Sequence, residues 1–163
     1  MKKQLTLAEA QSQLTYDPSS GTFTRVTRPS YNASAGGISK ALGYLLISVC
    51  GKQYYGHRLA WFYSTGRWPV GQIDHVNGDR ADNRLCNLRD VSIQVNRQNQ
   101  RKPHARKKSS ALLGVTFVPR KNKWVAQIQV NGHRSSLGYF ATQEQAYAAY
   151  VTAKRQLHAG NTL

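Results

Sequence analysis

The dipeptide Asn131-Gly132 lies between two runs that alternate apolar and polar side chains, KWVAQIQV (123–130) and HRSSLGYF (133–140). Both central positions of a type I′ turn need positive φ, and Asn-Gly accepts this readily, so the runs are predicted to fold back as an antiparallel hairpin. Alternation puts Trp124, Ala126, Ile128 and Val130 on one face of the first run, with Val125, Gln127 and Gln129 on the other. GVTFV (114–118) reads as a further strand. Thr142 and Gln145 then have capping-box spacing ahead of an apolar stripe, Ala146, Ala149, Tyr150, Ala153 and Leu157, that stops before Gly160. Three antiparallel strands packed on one amphipathic helix are therefore expected over 112–163. Trp124, Ile128, Leu137, Phe140 and Tyr150 are its expected core.

Immediately upstream the character changes. RKPHARKKSS (101–110) carries Arg101, Lys102, Arg106, Lys107 and Lys108 and no large apolar residue, so it cannot build a core and reads as a linker over 101–111 that lies along phosphates. The whole chain of 163 residues holds 23 Lys and Arg against 7 Asp and Glu, a net charge of +16. Such an excess predicts a polyanionic partner, with nucleic acid first and an anionic membrane surface second. No apolar run is long enough to span a bilayer, and MKKQLTLAEAQSQL lacks the apolar core of a signal peptide, so a cytoplasmic protein is expected. Cys50 and Cys86 form no CxxC pair and are read as small core residues or bystanders.

Residues 1–70 read as mixed α and β. Thr6 and Glu9 have capping-box spacing, with Leu7, Ala10 and Leu14 on one helical face. YDPSSGTF is a turn between extended pieces, and GYLLISVCGKQYYGH is a hairpin folded at Gly51-Lys52. HRLAWFYSTG is a short helix with Gly66 at its C-terminal end.

The chemistry concentrates in IDHVNGDRADNRLCNLRDVSIQVNRQN (73–99). QIDHV fits a strand and NGDRADNRLCNLR a loop pinned by Leu85 and Leu88. SIQVNRQNQR fits a helix with Ser92 at its N-cap. Strand, loop and helix would place Asp74 and His75 opposite Asn96. Asn77 and Asn99 read as turn formers, and Asp79 and Asp82 as solvated or capping side chains.

The pieces IDHVNGD, NRLCNLR and VNRQN, preceded by YYGHRLAWFYSTG, resemble the HNH nuclease motif, the ββα-metal or His-Me finger of phage and intron-encoded homing endonucleases. The resemblance implies that His75 is the general base and that Asp74 and Asn96 bind one divalent metal ion. It implies that Asn87 braces the loop and orients the histidine, with Asn83 as the rival. Asn96 stands where the motif's name has histidine. The residue types suit phosphodiester hydrolysis: an imidazole can deprotonate water near neutral pH, and a cation stabilises the pentavalent phosphate and the departing 3′ oxygen. Mg²⁺ or Mn²⁺, which favour oxygen ligands, are the implied cofactors. His57 reads as a hydrogen-bonding structural histidine, with a phosphate contact or site support as the alternative. Arg58 and Arg89 read as surface charges, with transition-state clamps as the alternative.

Within 114–160 the pieces GV, KWVAQI, LGYF and EQAYAAY resemble the APETALA/ethylene-response-factor type DNA-binding domain. The resemblance implies a sheet that enters the DNA major groove with the helix behind it. Its exposed face would present Thr116, Val118, Gln127, Gln129, Arg134 and Ser136, with Arg120 and Lys121 in the first turn. This face carries fewer Arg and Trp than the plant domains do.

An α+β chain is thus expected: an HNH nuclease domain over 1–100, the linker, and a DNA-binding domain over 112–163. The expected activity is metal-dependent, sequence-directed cleavage of double-stranded DNA by a phage- or mobile-element-encoded protein, monomer or weak dimer, in a bacterial cytoplasm. The alternative is a non-catalytic DNA-binding regulator on a degenerate nuclease scaffold. RNA binding is a third reading.

Overall fold

The structure, a computed structural model, describes residues 4–26, 35–101 and 112–162 of a mixed α/β chain. It divides into two compact units, the first ending at Ser92 and the second beginning at Ile93, so the division falls ahead of the expected boundary near residue 100.

The first unit opens on helix α1 (Leu7–Gln11), where Thr6 and Glu9 cap reciprocally as their spacing predicts. Leu14 does not continue the helical face. It is fully buried as the first residue of strand β1 (Leu14–Asp17), paired with Arg25 of β2 (Thr22–Arg25), because tertiary pairing overrides a short helical pattern. A second sheet has the order β3 (Gly37–Ile38), β4 (Leu45–Val49), β5 (Lys52–Tyr55), all antiparallel. Its β4–β5 hairpin turns at Cys50-Gly51, one residue earlier than expected, with φ of 48° and 71°. Cys50 takes this conformation while its N–H donates to Gln13 Oε1 (3.1 Å). Both cysteines are exposed free thiols, so neither belongs to the core.

Helix α2 (Gly56–Thr65) ends on Gly66 in the left-handed region, whose N–H donates to the Phe62 carbonyl. It buries Leu59, Ala60 and Phe62 against Leu14, Phe23, Ile47 and Val49 of the two sheets. Each of the Leu, Val, Ile and Phe side chains withdrawn from water stabilises the fold by about 1.5–3 kcal/mol. The 73–91 stretch is where sequence reasoning fell short. It contains not one strand but two, β6 (Gln72–His75) and β7 (Leu88–Val91), paired antiparallel around a loop that ends in one 3₁₀ turn (Leu85–Asn87). Ile73 and Leu88 anchor this hairpin in the core.

The second unit holds α3 (Ile93–Gln98), strands β8 (Val115–Val118), β9 (Lys123–Val130) and β10 (His133–Phe140), and helix α4 (Gln143–Leu157). The sheet order is β10-β9-β8, with Asn131 and Gly132 turning at φ of 50° and 84° as the dipeptide predicts. The Thr142–Gln145 capping box opens α4. Ala146 and Tyr150 are buried under the sheet beside Val115, Ala126 and Ile128, while Trp124, Leu137 and Phe140 are half-buried. The stripe departs from expectation at its end. Leu157 is exposed and Lys154 is buried instead, because its ammonium group finds the Gln100 carbonyl at 2.7 Å.

Candidate active site

Strand alternation sends Asp74 and His75 to opposite faces of β6. Both are buried, and the two faces give them different company. Asp74 lies opposite Arg89 in the β6–β7 register, and Arg89 Nε donates to Asp74 Oδ2 at 2.8 Å while its Nη2 lies 2.7 Å from the same oxygen. Arg89 is therefore not the surface charge that its sequence context suggested. It neutralises a buried carboxylate, which would otherwise be costly to hold away from water.

His75 faces an aromatic group instead. Its ring meets that of His57, from α2, edge to face with centroids 5.2 Å apart, and Tyr44 lies 4.9 Å from His57 and 5.9 Å from His75. Tyr55 stacks on His57 at 5.4 Å, and the Arg80 guanidinium covers Tyr44 at 4.9 Å. Burial lowers the His75 pKa. The neighbouring Asn83 side chain and the charges of Asp74, Asp79 and Asp82 oppose that shift without cancelling it. His57 is pushed down to about 3 by burial, then by the neighbouring His75 and Arg58. Both rings are therefore neutral at neutral pH, and a neutral imidazole has a lone pair with which to take a proton.

The loop between the strands is held by asparagines. Asn87, buried at the end of the 3₁₀ turn, accepts from the Asn77 N–H (2.9 Å) and donates to the Asp82 carbonyl (2.9 Å). Its own carbonyl accepts from Val76 N–H (2.9 Å), so one residue ties both ends of the loop next to His75. Asn83 is 1% exposed, its amide donates to the Ala81 carbonyl, and its carbonyl accepts from the Tyr16 hydroxyl (2.8 Å). Asn87 thus holds the loop, and the Asn83 side chain lies beside the imidazole. Asp79 accepts from Ala81 N–H, and Asp82 accepts from Arg84 and pairs with its guanidinium, so both serve the loop as expected.

The first hairpin reaches this loop because Gly21 allows it. A Cβ at Gly21 would stand 2.4 Å from Arg84 N, and its φ is +73°. Close by, Leu85 N–H donates to the Pro18 carbonyl at 3.1 Å.

The other singled-out residues scatter. Arg58 is half-buried on α2. Asn96 stands on α3, in the second unit. Asn99, read as a turn former, is buried and accepts from the Thr162 hydroxyl. Arg101 donates to the Thr162 carbonyl (3.0 Å) and hydroxyl (2.6 Å), so its guanidinium is engaged within the protein. Lys102, Arg106, Lys107 and Lys108 lie outside the described residues. Gln129, Arg134 and Ser136 are exposed on one sheet face and Gln127, Thr116 and Val118 are half-exposed, while Arg120 and Lys121 are exposed on the turn after β8. Lys121 lies over the Tyr139 ring at 3.9 Å.

Sequence reasoning missed Tyr44 and Tyr55 as neighbours of the histidines. Tyr55 lies within the YYGHRLAWFYSTG stretch, two residues before His57, and that adjacency is its sequence signal. Tyr44 is brought in by sheet pairing and has no local signal. No curated protein and no solved structure matches the chain. Residues 54–98, the span from Tyr54 through β6 and β7 to the end of α3, match the family model described as HNH endonuclease.

Proposed function

We propose that the chain is an HNH-type DNA endonuclease that hydrolyses phosphodiester bonds with His75 as general base. One coincidence carries the reading. The span that matches the HNH endonuclease family contains a buried imidazole whose surroundings keep it unprotonated near neutral pH. A base must be free of its proton before the attacking water arrives, and general-base catalysis of this kind contributes about 10²–10⁴-fold. His75 takes the proton from water, and the His57 and Tyr44 rings fix the plane of the imidazole. Asn87 acts as a positioning residue through the loop.

A divalent ion, Mg²⁺ or Mn²⁺, would supply charge stabilisation for the pentavalent phosphate and the leaving 3′ oxygen. Asp74 and Asn96 are the proposed ligands. The donor chemistry fits a hard, hydrated cation, since the proposed set is oxygen only. Arg89 holds the Asp74 carboxylate in place and neutralises it.

The second unit is proposed to position the nuclease on DNA as an APETALA-type sheet, through Gln127, Gln129, Arg134 and Ser136 with Arg120 and Lys121. The net charge of +16 supports a polyanionic partner. Among the described residues, no helix is long and apolar enough to cross a membrane. A homing role in a phage or mobile element belongs to the same proposal. One site per chain nicks a strand first, and a double-strand cut needs a second binding event or a dimer.

Incubating purified protein with supercoiled plasmid, with and without Mg²⁺ or Mn²⁺, tests the reading. Metal-dependent nicking that disappears in His75→Ala, with DNA binding retained, is the expected result. Binding without cleavage under either metal would make the chain a regulator on a nuclease scaffold instead.

A further inference from the structure

The second unit contains a groove of about 1120 Å³ that the sheet does not form alone. One wall is the α3 surface carrying Gln94 and Arg97; the other carries Gln129 and Arg134, with Thr116 and Gln127 between them. We propose that this groove, and not the sheet face by itself, takes the DNA duplex, and that Arg97 is a phosphate contact supplied by the helix. The inference rests on the DNA-directed reading above and deepens it by naming the surface.

Three observations support it. The first is charge: two arginines line the groove, and no lining residue is Asp or Glu. Only an anionic or neutral ligand is attracted there, and a phosphate backbone presents the matching sign. The second is hydrogen-bonding type. The walls are rich in primary amides, whose paired donor and acceptor match the N6/N7 edge of adenine, while Arg matches guanine O6/N7. A pocket for a small metabolite would be mostly apolar with few polar groups, whereas this lining is about half polar.

The third is that the helix wall is fixed. Gln94 Nε2 donates to Asn131 Oδ1 at the hairpin tip (2.9 Å), which ties the two walls together. Beneath, Gly160 N–H donates to Gln98 Oε1 (3.0 Å), and a Cβ at Gly160 would stand 2.1 Å from the Val95 carbonyl. The chain after α4 therefore seats α3 by close backbone approach. Arg97 is exposed in the last turn of a helix held from behind, so its backbone position beside the groove is set before a ligand arrives.

The test uses the full chain without divalent metal, so that cleavage does not intrude. Binding to a pool of duplex DNA oligonucleotides of random sequence is followed against salt concentration, with duplex RNA of equivalent length as the competing probe. Arg97→Ala and Arg134→Ala are each expected to lower the slope of log affinity against log salt by about 1. Arg155→Ala, which removes the same charge from an exposed position of α4 that does not line the groove, should leave the slope nearly unchanged. An Arg97 variant that behaves as the Arg155 variant does would overturn the proposal, since net charge alone would then explain binding. Duplex RNA held as tightly as DNA would also overturn it, because A-form RNA closes the major groove to side chains. Failure of the parent protein to bind either probe removes the groove, while plasmid cleavage judges the nuclease reading separately.

Discussion

The imidazoles of His57 and His75 meet edge to face at 5.2 Å, one from a helix and one from a strand. The contact puts two titratable rings in one buried place, and burial is the largest cause of the lowered pKa of each. For His57 the folded value is about 3, against 6.5 when exposed. Between those values the unfolded chain binds a proton that the native fold excludes, so stability falls as pH drops through that window. For one such proton the slope is about 1.4 kcal/mol per pH unit. Urea unfolding at a series of pH values should show this loss, and His57→Phe, which keeps an aromatic ring in the stack, should flatten it. An unchanged slope in the variant would mean that His57 protonates freely in the native state. If His75 is the base, the acid limb of cleavage should also lie below the usual imidazole value, because the site keeps the ring neutral.

The Asp74–Arg89 pair gives a second expectation. Arg89 is partly exposed, so its interaction is screened, yet Asp74 is buried and loses this guanidinium in Arg89→Ala. We expect a loss of roughly 1–3 kcal/mol, below the figure for a fully buried pair. Added Mg²⁺ should then raise the melting temperature of Arg89→Ala by more than that of the parent, since a cation can replace the missing charge. Equal shifts in the two proteins would argue against Asp74 as a ligand.

Asn87 and Asn83 are separable. Asn87→Ala removes an acceptor for Asn77 N–H and a donor to the Asp82 carbonyl, leaving groups in the loop unsatisfied at a cost of about 1–3 kcal/mol. Cleavage should fall with stability in that variant. Asn83→Ala removes a neighbouring side chain that holds the His75 pKa up, so its acid limb should move to lower pH. Paired pH profiles of the two variants check this, and a shift in the Asn87 variant instead would reverse the roles.

How much of this could be read from the chain varies with the range of the interaction. The 131–132 turn, both capping boxes and the Gly66 helix end are local: the residues that dictate them are adjacent, and the structure has all of them. The β7 strand was missed because LRDV follows a loop rich in Asn and Asp and shows little alternation; only pairing with β6 makes it a strand. Lys154 was missed for the same kind of reason, since the carbonyl that satisfies it comes from Gln100, far away in sequence. At the site, the Asp-His dipeptide and its asparagines were legible as residue types at a known spacing. The Arg89 and His57 partners needed the fold, because strand register and helix docking bring them in.

Gly21 offers a test of how far the loop depends on the first hairpin. Its φ of +73° disfavours any side chain, and an alanine Cβ would be forced to 2.4 Å from Arg84 N and 2.6 Å from the Asn83 carbonyl carbon. Backbone cannot give way as a flexible side chain does, so the hairpin and the 83–84 segment must separate. The left-handed conformation alone costs about 1–2 kcal/mol for a residue with a Cβ, and the displacement adds to it. Gly21→Ala should therefore lose at least about 2 kcal/mol in urea unfolding. Because Asn83 sits at the point of contact and lies beside His75, cleavage should fall by more than the remaining folded fraction accounts for. Activity that simply tracks the folded fraction would show that the imidazole is positioned without the hairpin's support.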